Sequence, residues 1–228
     1  MDVSGKRILV AGGTGELGRR IATGLREAGA HTVITGRPGE RLNSAMSHSE
    51  AFGVDLSVAG AGIALVEAVS AVGPIDGIVL AHGIVAFGNV ADTPLDAVSA
   101  LTAVNQTSVA DIVTAAIPSL RESKAAGNEP FIVTISGVIS ENALAGMAAY
   151  GASKAGLKHF VAAAQRELRR EGIRIFDTRP PHTETGLATR AIVGQAPNFP
   201  AGADPDAVAK RIVDAILADE TDVPSTSF

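Results

Sequence analysis

Short apolar runs alternate along this chain with longer segments whose apolar residues recur every three or four positions. The short runs are rich in β-branched residues and most end at glycine or a polar residue, which is typical of buried parallel strands. They predict strands at residues 8–11, 31–35, 52–54, 75–81, 131–135 and 173–176. The periodic segments predict helices at residues 17–28, 38–46, 61–72, 95–104, 106–124, 148–170 and 206–217. The tail, 222–228, is a candidate for a final edge strand.

This alternation predicts an α/β fold in which helices cover both faces of a parallel sheet. A chain of 228 residues can bury one substantial core, and it shows neither an internal repeat nor a linker. We therefore expect a single domain over residues 1–228. The stretch 179–205 is long for a connection, and its part at about 186–205 is expected to shape a substrate pocket.

Composition narrows the classes of function. The net charge is −5 without a basic cluster, so a nucleic-acid partner is not expected. The chain has no cysteine, which excludes disulfides and a thiol nucleophile, and its five histidines show no metal-ligand spacing. No apolar run has the length of a membrane span, and the N-terminal residues lack a signal-peptide pattern. We expect a soluble, cytoplasmic protein without a metal.

Glycines dominate the turn after the first predicted strand. Gly12, Gly15 and Gly18 permit a tight turn, close approach of the backbone to a pyrophosphate, and close packing of helix on strand. The helix that follows offers free N–H groups and a positive dipole end. Glycine-rich turns also end ordinary strands, but the strand before and the helix after favour a dinucleotide site on a Rossmann-type, doubly wound sheet.

Tyr150, the only tyrosine, is followed four residues later by Lys154. Residues with this spacing lie on the same face of a helix. A phenol normally ionises near pH ~10, and an adjacent ammonium would lower its pKa toward neutrality. The pair is therefore a candidate acid–base device, if a reactive group is held in front of it. The alternative is a helical tyrosine followed by a solvated lysine.

The end of the second strand bears on the choice of cofactor. A carboxylate at that position would accept the adenosine ribose hydroxyls. The chain has Arg37 there, and a planar guanidinium suits a 2′-phosphate. This favours NADP(H), with NAD(H) as the alternative, unless Arg37 is only a solvated loop residue.

Together these motifs resemble the short-chain dehydrogenase/reductase family, from about residue 6 to the C-terminus. The resemblance implies an NADP(H)-dependent oxidoreductase that interconverts a carbonyl and an alcohol by hydride transfer, with Tyr150 and Lys154 as its acid–base pair. Asn105 resembles the asparagine that begins the family's interface helix and helps hold the lysine and a proton-relay water. Asp55 resembles the aspartate that contacts the adenine, although capping of the following helix is the alternative.

The resemblance also implies a set of cofactor contacts. In the segment 179–185, the backbone of Thr183 and the hydroxyl of Thr185 would meet the nicotinamide carboxamide. The full set of implied cofactor contacts is Gly12, Thr14, Gly15, Leu17, Arg37, Asp55, Leu56, Ala81, Gly83, Tyr150, Lys154, Thr183 and Thr185. The implied partners are a small carbonyl or alcohol substrate and further copies of the chain, in a homodimer or homotetramer built on the alanine-rich helices.

The chain departs from the family pattern at the catalytic serine. That serine lies thirteen residues before the tyrosine, where this chain has Gly137. Ser136 is favoured over Ser140 as its replacement, although a one-residue offset turns a strand side chain to the other face unless a bulge restores its aim. The family's Asn-Asn-Ala-Gly is also altered here, so that His82 could line the cofactor cleft. These departures leave open a catalytically impaired, dinucleotide-binding regulatory protein of the same fold.

Overall fold

One parallel sheet of six strands forms the centre of the computed structural model, which describes residues 1–228. The order of the strands across the sheet is β3-β2-β1-β4-β5-β6. The strands are β1 (Arg7–Ala11), β2 (His31–Gly36), β3 (Glu50–Gly53), β4 (Gly77–Leu80), β5 (Phe131–Ile135) and β6 (Arg174–Thr178). The order reverses between β1 and β4, and this reversal opens a crevice at the carboxyl ends of the strands.

Seven α-helices cover the two faces of the sheet. They are α1 (Glu16–Glu27), α2 (Glu40–Ala45), α3 (Ala61–Val72), α4 (Leu95–Thr102), α5 (Ser108–Ala125), α6 (Ala148–Leu168) and α7 (Pro205–Leu217). Successive strand residues point to opposite faces. Leu9 accordingly joins a core built with α3, α5 and α6, whereas Val10 joins one built with α1 and α7. The predicted doubly wound α/β class is confirmed. None of the helices combines the length and apolar character needed to cross a membrane.

The two helices predicted at 95–104 and 106–124 are in fact one helical run. A π-helical turn, Ala103–Thr107, joins α4 directly to α5. The prediction of a break at residue 105 was wrong because Asn105 does not end the helix. Its side chain instead bonds the main chain of Ile84 from within the wider turn. Single π turns of this kind are frequent at functional sites.

The C-terminal tail does not form the edge strand expected at 222–228. Only Val223 makes a bridge, to Thr178 of β6, and a short 3-10 turn, Ser225–Ser227, follows. Pro224 lacks a backbone N–H and cannot continue the ladder. Side chains hold the tail instead, since Asp222 binds Arg179 at 2.7 Å.

The long connection after β6 folds back over the carboxyl edge of the sheet. Its base is closed by a bridge between Thr183 and Ala203. Farther along, Ile192 N–H donates to Val85 O and Phe87 N–H donates to Val193 O, each at 2.9 Å. The predicted substrate loop at 186–205 is thus bound to the segment that leaves β4.

Candidate active site

The glycine turn between β1 and α1 lies against the end of β4. Gly12 has a φ of +77°, and a Cβ there would lie 2.7 Å from the backbone nitrogen of His82. A Cβ on Gly18 would lie 2.3 Å from the carbonyl oxygen of Gly12. Only glycine therefore allows this packing. The first N–H groups of α1, as at the start of any α-helix, lack intrahelical acceptors. No side chain caps Gly15 at the helix start. These features fit the pyrophosphate of a dinucleotide.

Tyr150 stands in the first turn of α6, beside a small apolar cluster. The half-buried ring packs against Val85, Phe87, Ile139 and Met147. This burial raises the pKa of the Tyr150 phenol to about 12, because the phenolate would lose its hydration. The phenol therefore keeps its proton at neutral pH.

Lys154 follows one turn later and is only 6% exposed. Its ammonium donates to the carbonyl of Ile135, at the carboxyl end of β5, over 2.9 Å. Burial lowers the pKa of Lys154 to about 8, and the carboxylate of Asp177 opposes this shift. The buried ammonium is thus poised to gain or lose a proton near neutral pH.

The expected effect of the lysine on the tyrosine is not seen. Sequence reasoning predicted that the ammonium would lower the pKa of Tyr150, but that pKa is raised. Lys154 is directed at the Ile135 carbonyl, and burial of the phenol dominates. Spacing on a helix could reveal that the two side chains share a face, but not how deeply each is buried.

Asn105 joins three elements beside the lysine. Its Oδ1 accepts from Ile84 N–H, and its Nδ2 donates to Ile84 O, both at 3.0 Å. Nδ2 also donates to Ser153 Oγ on α6 over 2.9 Å. A Cβ on Gly83 would lie 3.3 Å from Lys154 Nζ and 3.2 Å from Asn105 Oδ1. The end of β4, the π turn and α6 therefore meet around Lys154.

The two candidate serines belong to one hydrogen-bonded chain. Ser136 is 1% exposed, and its hydroxyl donates to a carboxylate oxygen of Asp177. Ser140 is half-buried, and its Oγ lies 2.9 Å from Ser136 Oγ and 2.7 Å from the carbonyl of Gly137. The proton of Ser136 is therefore directed between β5 and β6, and Ser140 carries the less buried hydroxyl.

Sequence reasoning missed Asp177 and Arg179. Asp177 is 4% exposed, accepts from Thr134 Oγ1 at 2.6 Å and has its pKa raised by burial. Arg179, also buried, pairs with Asp177 and with Glu141 and Asp222. A carboxylate directly after the apolar pair Ile175 and Phe176 of β6 was the available signal, because buried charges need partners.

The residues predicted to contact the adenosine end lie near the ends of β2 and β3. Arg37 is exposed and forms no close ion pair, although it adds to the hydrogen bonds of Ser57 in lowering the pKa of the nearby Asp55 carboxyl. A Cβ on Gly36 would lie 2.3 Å from Thr14 Oγ1, so the glycine turn packs against the end of β2. Asp55 Oδ1 accepts from the N–H of Ser57 at 2.9 Å and from its hydroxyl at 2.7 Å. It caps this local turn rather than α3, which begins only at Ala61.

The remaining predicted contacts lie along the same edge of the sheet. Ala81 N–H donates to Ala11 O at 2.8 Å, which extends the pairing of β4 with β1. Thr185 N–H donates to Thr183 O at 2.7 Å in the segment after β6. Leu17 and Leu56 pack in the two cores, on opposite faces of the sheet. Nowhere in residues 1–228 do three His, Asp or Glu side chains gather as a metal site would require.

Comparison with known proteins identifies the family. A family model described as short chain dehydrogenase matches residues 6–194. Glycine betaine reductase ATRR of Emericella nidulans is 27% identical over 96% of this chain, which spans 18% of that protein. A short chain dehydrogenase of Pseudocercospora fijiensis is 29% identical over 82% of this chain and 62% of its own length. The chain thus spans less than two thirds of both curated relatives.

Solved structures share the fold at lower sequence identity. A short-chain dehydrogenase from Sphingobium yanoikuyae in complex with NADPH has a TM-score of 0.86 and 21% identity, over 96% of this chain and 87% of the other. A 3-ketoacyl-(acyl-carrier-protein) reductase from Brucella melitensis complexed with NADH has a TM-score of 0.88 and 22% identity, over 99% and 100%. The match to the family model covers most of the chain, and the chain therefore belongs to the short-chain dehydrogenase/reductase family.

Proposed function

We propose that this protein is an NADP(H)-dependent oxidoreductase that interconverts a carbonyl and an alcohol by hydride transfer. One observation carries the proposal. Tyr150 and Lys154 lie one helical turn apart, where α6 meets the ends of β4 and β5, and the segment that follows β4 lies against the glycine turn. The bound dinucleotide would supply the hydride. The protein would position the substrate and handle the proton.

Tyr150 is proposed as the acid in the reducing direction. Because its phenol is protonated at neutral pH, it can donate to a carbonyl oxygen as negative charge develops there. The resulting phenolate would be stabilised by the Lys154 ammonium one turn away. Asn105 would keep the lysine in place through its bonds to Ile84 and Ser153.

Ser140 is proposed to polarise the substrate oxygen, with the hydroxyl oxygen of Ser136 beside it at 2.9 Å. Ser136 gives its only proton to Asp177 and has none for a substrate, whereas the single proton of Ser140 goes to the carbonyl of Gly137 over 2.7 Å. The hydroxyl of Ser140 can turn to a substrate oxygen and return. This reverses the preference for Ser136 that the sequence suggested.

Arg37 supports NADP(H) as the cofactor. The guanidinium at the end of β2 is exposed and lies near enough to Asp55 to help lower the pKa of that carboxyl, but it forms no close ion pair and can turn to a 2′-phosphate. The solved relatives are recorded with NADPH in one case and NADH in the other. The proposal therefore rests on Arg37 and not on the neighbours.

The substrate is proposed to be a small carbonyl compound whose reacting group lies in apolar surroundings. Beyond Tyr150, the cluster around Phe87 is completed by Leu187 and Phe199 from the loop at 186–205. We also propose a homodimer or homotetramer through the α4–α5 run and α6. Leu95 and Val98 of α4 are exposed, as an interface in an oligomer would require. Light scattering on the purified protein tests this.

The deciding experiment follows NADPH absorbance with a panel of aldehydes and ketones. We expect turnover, and we expect Tyr150→Phe to lower kcat by about 10²- to 10⁴-fold. The dissociation constant of NADPH, measured by calorimetry, should stay within a few-fold. Undiminished turnover in Tyr150→Phe, or no affinity for either NADPH or NADH, contradicts the proposal.

A second candidate is a dinucleotide-binding regulatory protein that has lost catalysis. It is favoured by Gly137 at the family's serine position and by the engagement of Ser136 with Asp177. Tight binding of NADPH without turnover of any carbonyl supports it. Turnover that depends on Tyr150 rules it out.

A further inference from the structure

His82 occupies a confined position that the proposed reaction does not use. It follows β4, and its backbone lies against Gly12 of the glycine turn. The imidazole turns toward α5, where Nε2 lies 2.8 Å from the hydroxyl oxygen of Ser108.

Proton counting determines the tautomer of this ring. Ser108 donates its single hydroxyl proton to the carbonyl of Val104 at 2.8 Å. Ser108 can therefore only accept from the imidazole, which places the proton of His82 on Nε2. Burial lowers the pKa of His82 to about 3, and the Lys154 ammonium adds to the shift, so the ring is neutral. Nδ1 consequently carries an unshared lone pair of electrons and no proton.

That lone pair lacks a donor. Among the buried side-chain nitrogen and oxygen atoms of residues 1–228, Nδ1 of His82 is the one without a hydrogen-bond partner in the protein. A buried acceptor left without a donor is costly, and ordered water is the usual remedy where polar groups converge.

Lys154 is a neighbouring donor whose ammonium protons are not all used in hydrogen bonds to the protein. Asn105 Nδ2 already donates to Ile84 O and Ser153 Oγ, and Ser153 donates to Tyr150 O. The Lys154 ammonium makes one hydrogen bond to the protein, to Ile135 O, and has three protons. Gly83, next to His82, brings the chain beside Lys154 Nζ.

We propose that His82 Nδ1 and Lys154 Nζ hold one water molecule between them, through which His82 positions Lys154. The water would accept from the ammonium and donate to Nδ1, with no proton passing to the imidazole. The water site rests on the unpartnered Nδ1 of His82, the free protons of Lys154 and the closeness of Gly83 to Nζ. The positioning role in catalysis rests on the proposed function.

The ionisable groups that face Lys154 are few. Asp177 on β6 favours its charged form, and His82 and Tyr150 are neutral at pH 7. Loss of the bridging water should therefore act directly on the ammonium, and the pKa of Lys154 should fall by about one unit.

The test begins with the wild-type protein without cofactor. Nitrogen-15 spectra of the histidine rings should show His82 protonated on Nε2. A crystal structure at a resolution that shows water should place one water within about 3.2 Å of both Nδ1 and Nζ. An Nδ1–H tautomer, or no such water, overturns the proposal without any variant or any measurement of activity.

Three variants then separate positioning from a structural role. His82→Leu removes the acceptor, His82→Asn can place a carboxamide oxygen where Nδ1 stood, and Ser108→Ala removes only the partner of Nε2. With the lysine side chains labelled, the pKa of Lys154 should fall by about one unit in His82→Leu and stay unchanged in the other two. An unchanged pKa in a folded His82→Leu contradicts the proposal.

If turnover is found, the basic limb of the kcat/KM profile should move to lower pH in His82→Leu and be restored in His82→Asn. If no carbonyl is turned over but the water and the Lys154 titration are as expected, the water site stands and the proposed oxidoreductase fails. If His82→Leu does not fold, the tautomer and the water in the wild type decide the matter.

Discussion

The hydroxyl of Ser136 donates to the buried carboxylate of Asp177 on the neighbouring strand. Thr134 of β5 is paired in register with Asp177 of β6. Ser136 lies two residues after Thr134, and its side chain is directed back toward the Asp177 carboxylate, which Thr134 also contacts. The backbone N–H of Ser136 also donates to Asp177, at 3.2 Å. The serine that the sequence favoured for catalysis thus gives its hydroxyl proton to a buried carboxylate.

The two serines should therefore differ in what they affect. We expect Ser140→Ala to lower kcat by about 10- to 100-fold, because one donor to the substrate oxygen is lost. Ser136→Ala should cost a smaller factor in kcat and about 1–3 kcal/mol in the free energy of unfolding, because Asp177 loses a donor. Steady-state kinetics and urea unfolding measure the two effects. Ser99→Ala, on the exposed face of α4, is the control. A greater loss of kcat in Ser136→Ala than in Ser140→Ala would reverse the assignment.

Removing the buried charge of Lys154 should stabilise the protein while stopping turnover. The pKa of Lys154 is lowered by burial from 10.5 to about 8, so the folded state holds its proton less firmly than the unfolded state. Below pH 8 both states are protonated and the folded state bears the whole penalty, which is roughly 3 kcal/mol at most. Between about pH 8 and 10.5 the penalty is relieved. We expect Lys154→Met to be more stable than the wild type at pH 7 and to lose most of this advantage by pH 10.

Urea unfolding at the two pH values measures this difference. Lys158→Met, one turn farther along α6 at a side chain that is 39% exposed, is the matched control and should show no such dependence on pH. If the difference in the free energy of unfolding between wild type and Lys154→Met stayed constant from pH 7 to pH 10, burial would not lower the pKa of Lys154.

The identity of residue 37 should set the preference between cofactors. In Arg37→Glu a carboxylate replaces the guanidinium, repels a 2′-phosphate and can accept from ribose hydroxyls. We expect the ratio of kcat/KM for NADPH to that for NADH to fall by about 10- to 100-fold. Arg166→Glu, an exposed arginine on α6, makes the same change in net charge and should leave the ratio unchanged. Equal ratios in wild type and Arg37→Glu would remove the case for NADP(H).

Gly194 should control closure of the loop at 186–205. Its φ is +72°, and a Cβ there would lie 2.0 Å from the carbonyl oxygen of Phe87. Gly194→Ala should therefore break the two backbone bonds that tie the loop to Val85 and Phe87. We expect KM for the carbonyl substrate to rise about tenfold or more, with the affinity for NADPH unchanged.

Gly60→Ala is the control that introduces backbone strain without the steric clash expected in Gly194→Ala. Gly60 has a φ of +75°, but a Cβ there would meet nothing within 4 Å. That variant should cost about 1–2 kcal/mol of stability and leave KM unaltered. Proteolysis of the loop gives an independent readout, since Gly194→Ala should be cut faster than Gly60→Ala. An unchanged KM in Gly194→Ala would mean that the loop does not shape the substrate site.

The local chemistry of the chain was sufficient to predict most of the fold. Strand 131–135 and helix 61–72 coincide with β5 and α3, because a continuous β-branched run and a bounded apolar periodicity are properties of neighbouring residues. The glycine turn was predicted for the same reason. The π turn at Ala103–Thr107 was not, since it depends on a bond between Asn105 and the distant Ile84.

The sequence by itself determined the family, the position of the glycine turn and the placing of Tyr150 and Lys154 on one helical face. Only the tertiary structure decided the direction of the Tyr150 pKa shift and the orientation of Ser136. It also decided the burial of Asp177 and the lack of a hydrogen-bond partner for Nδ1 of His82. The pKa shift, the hydrogen-bond partners and the burial all depend on which residues, distant in the sequence, are packed together away from water. Desolvation and the geometry of partners are set by packing between elements and not by spacing along the chain.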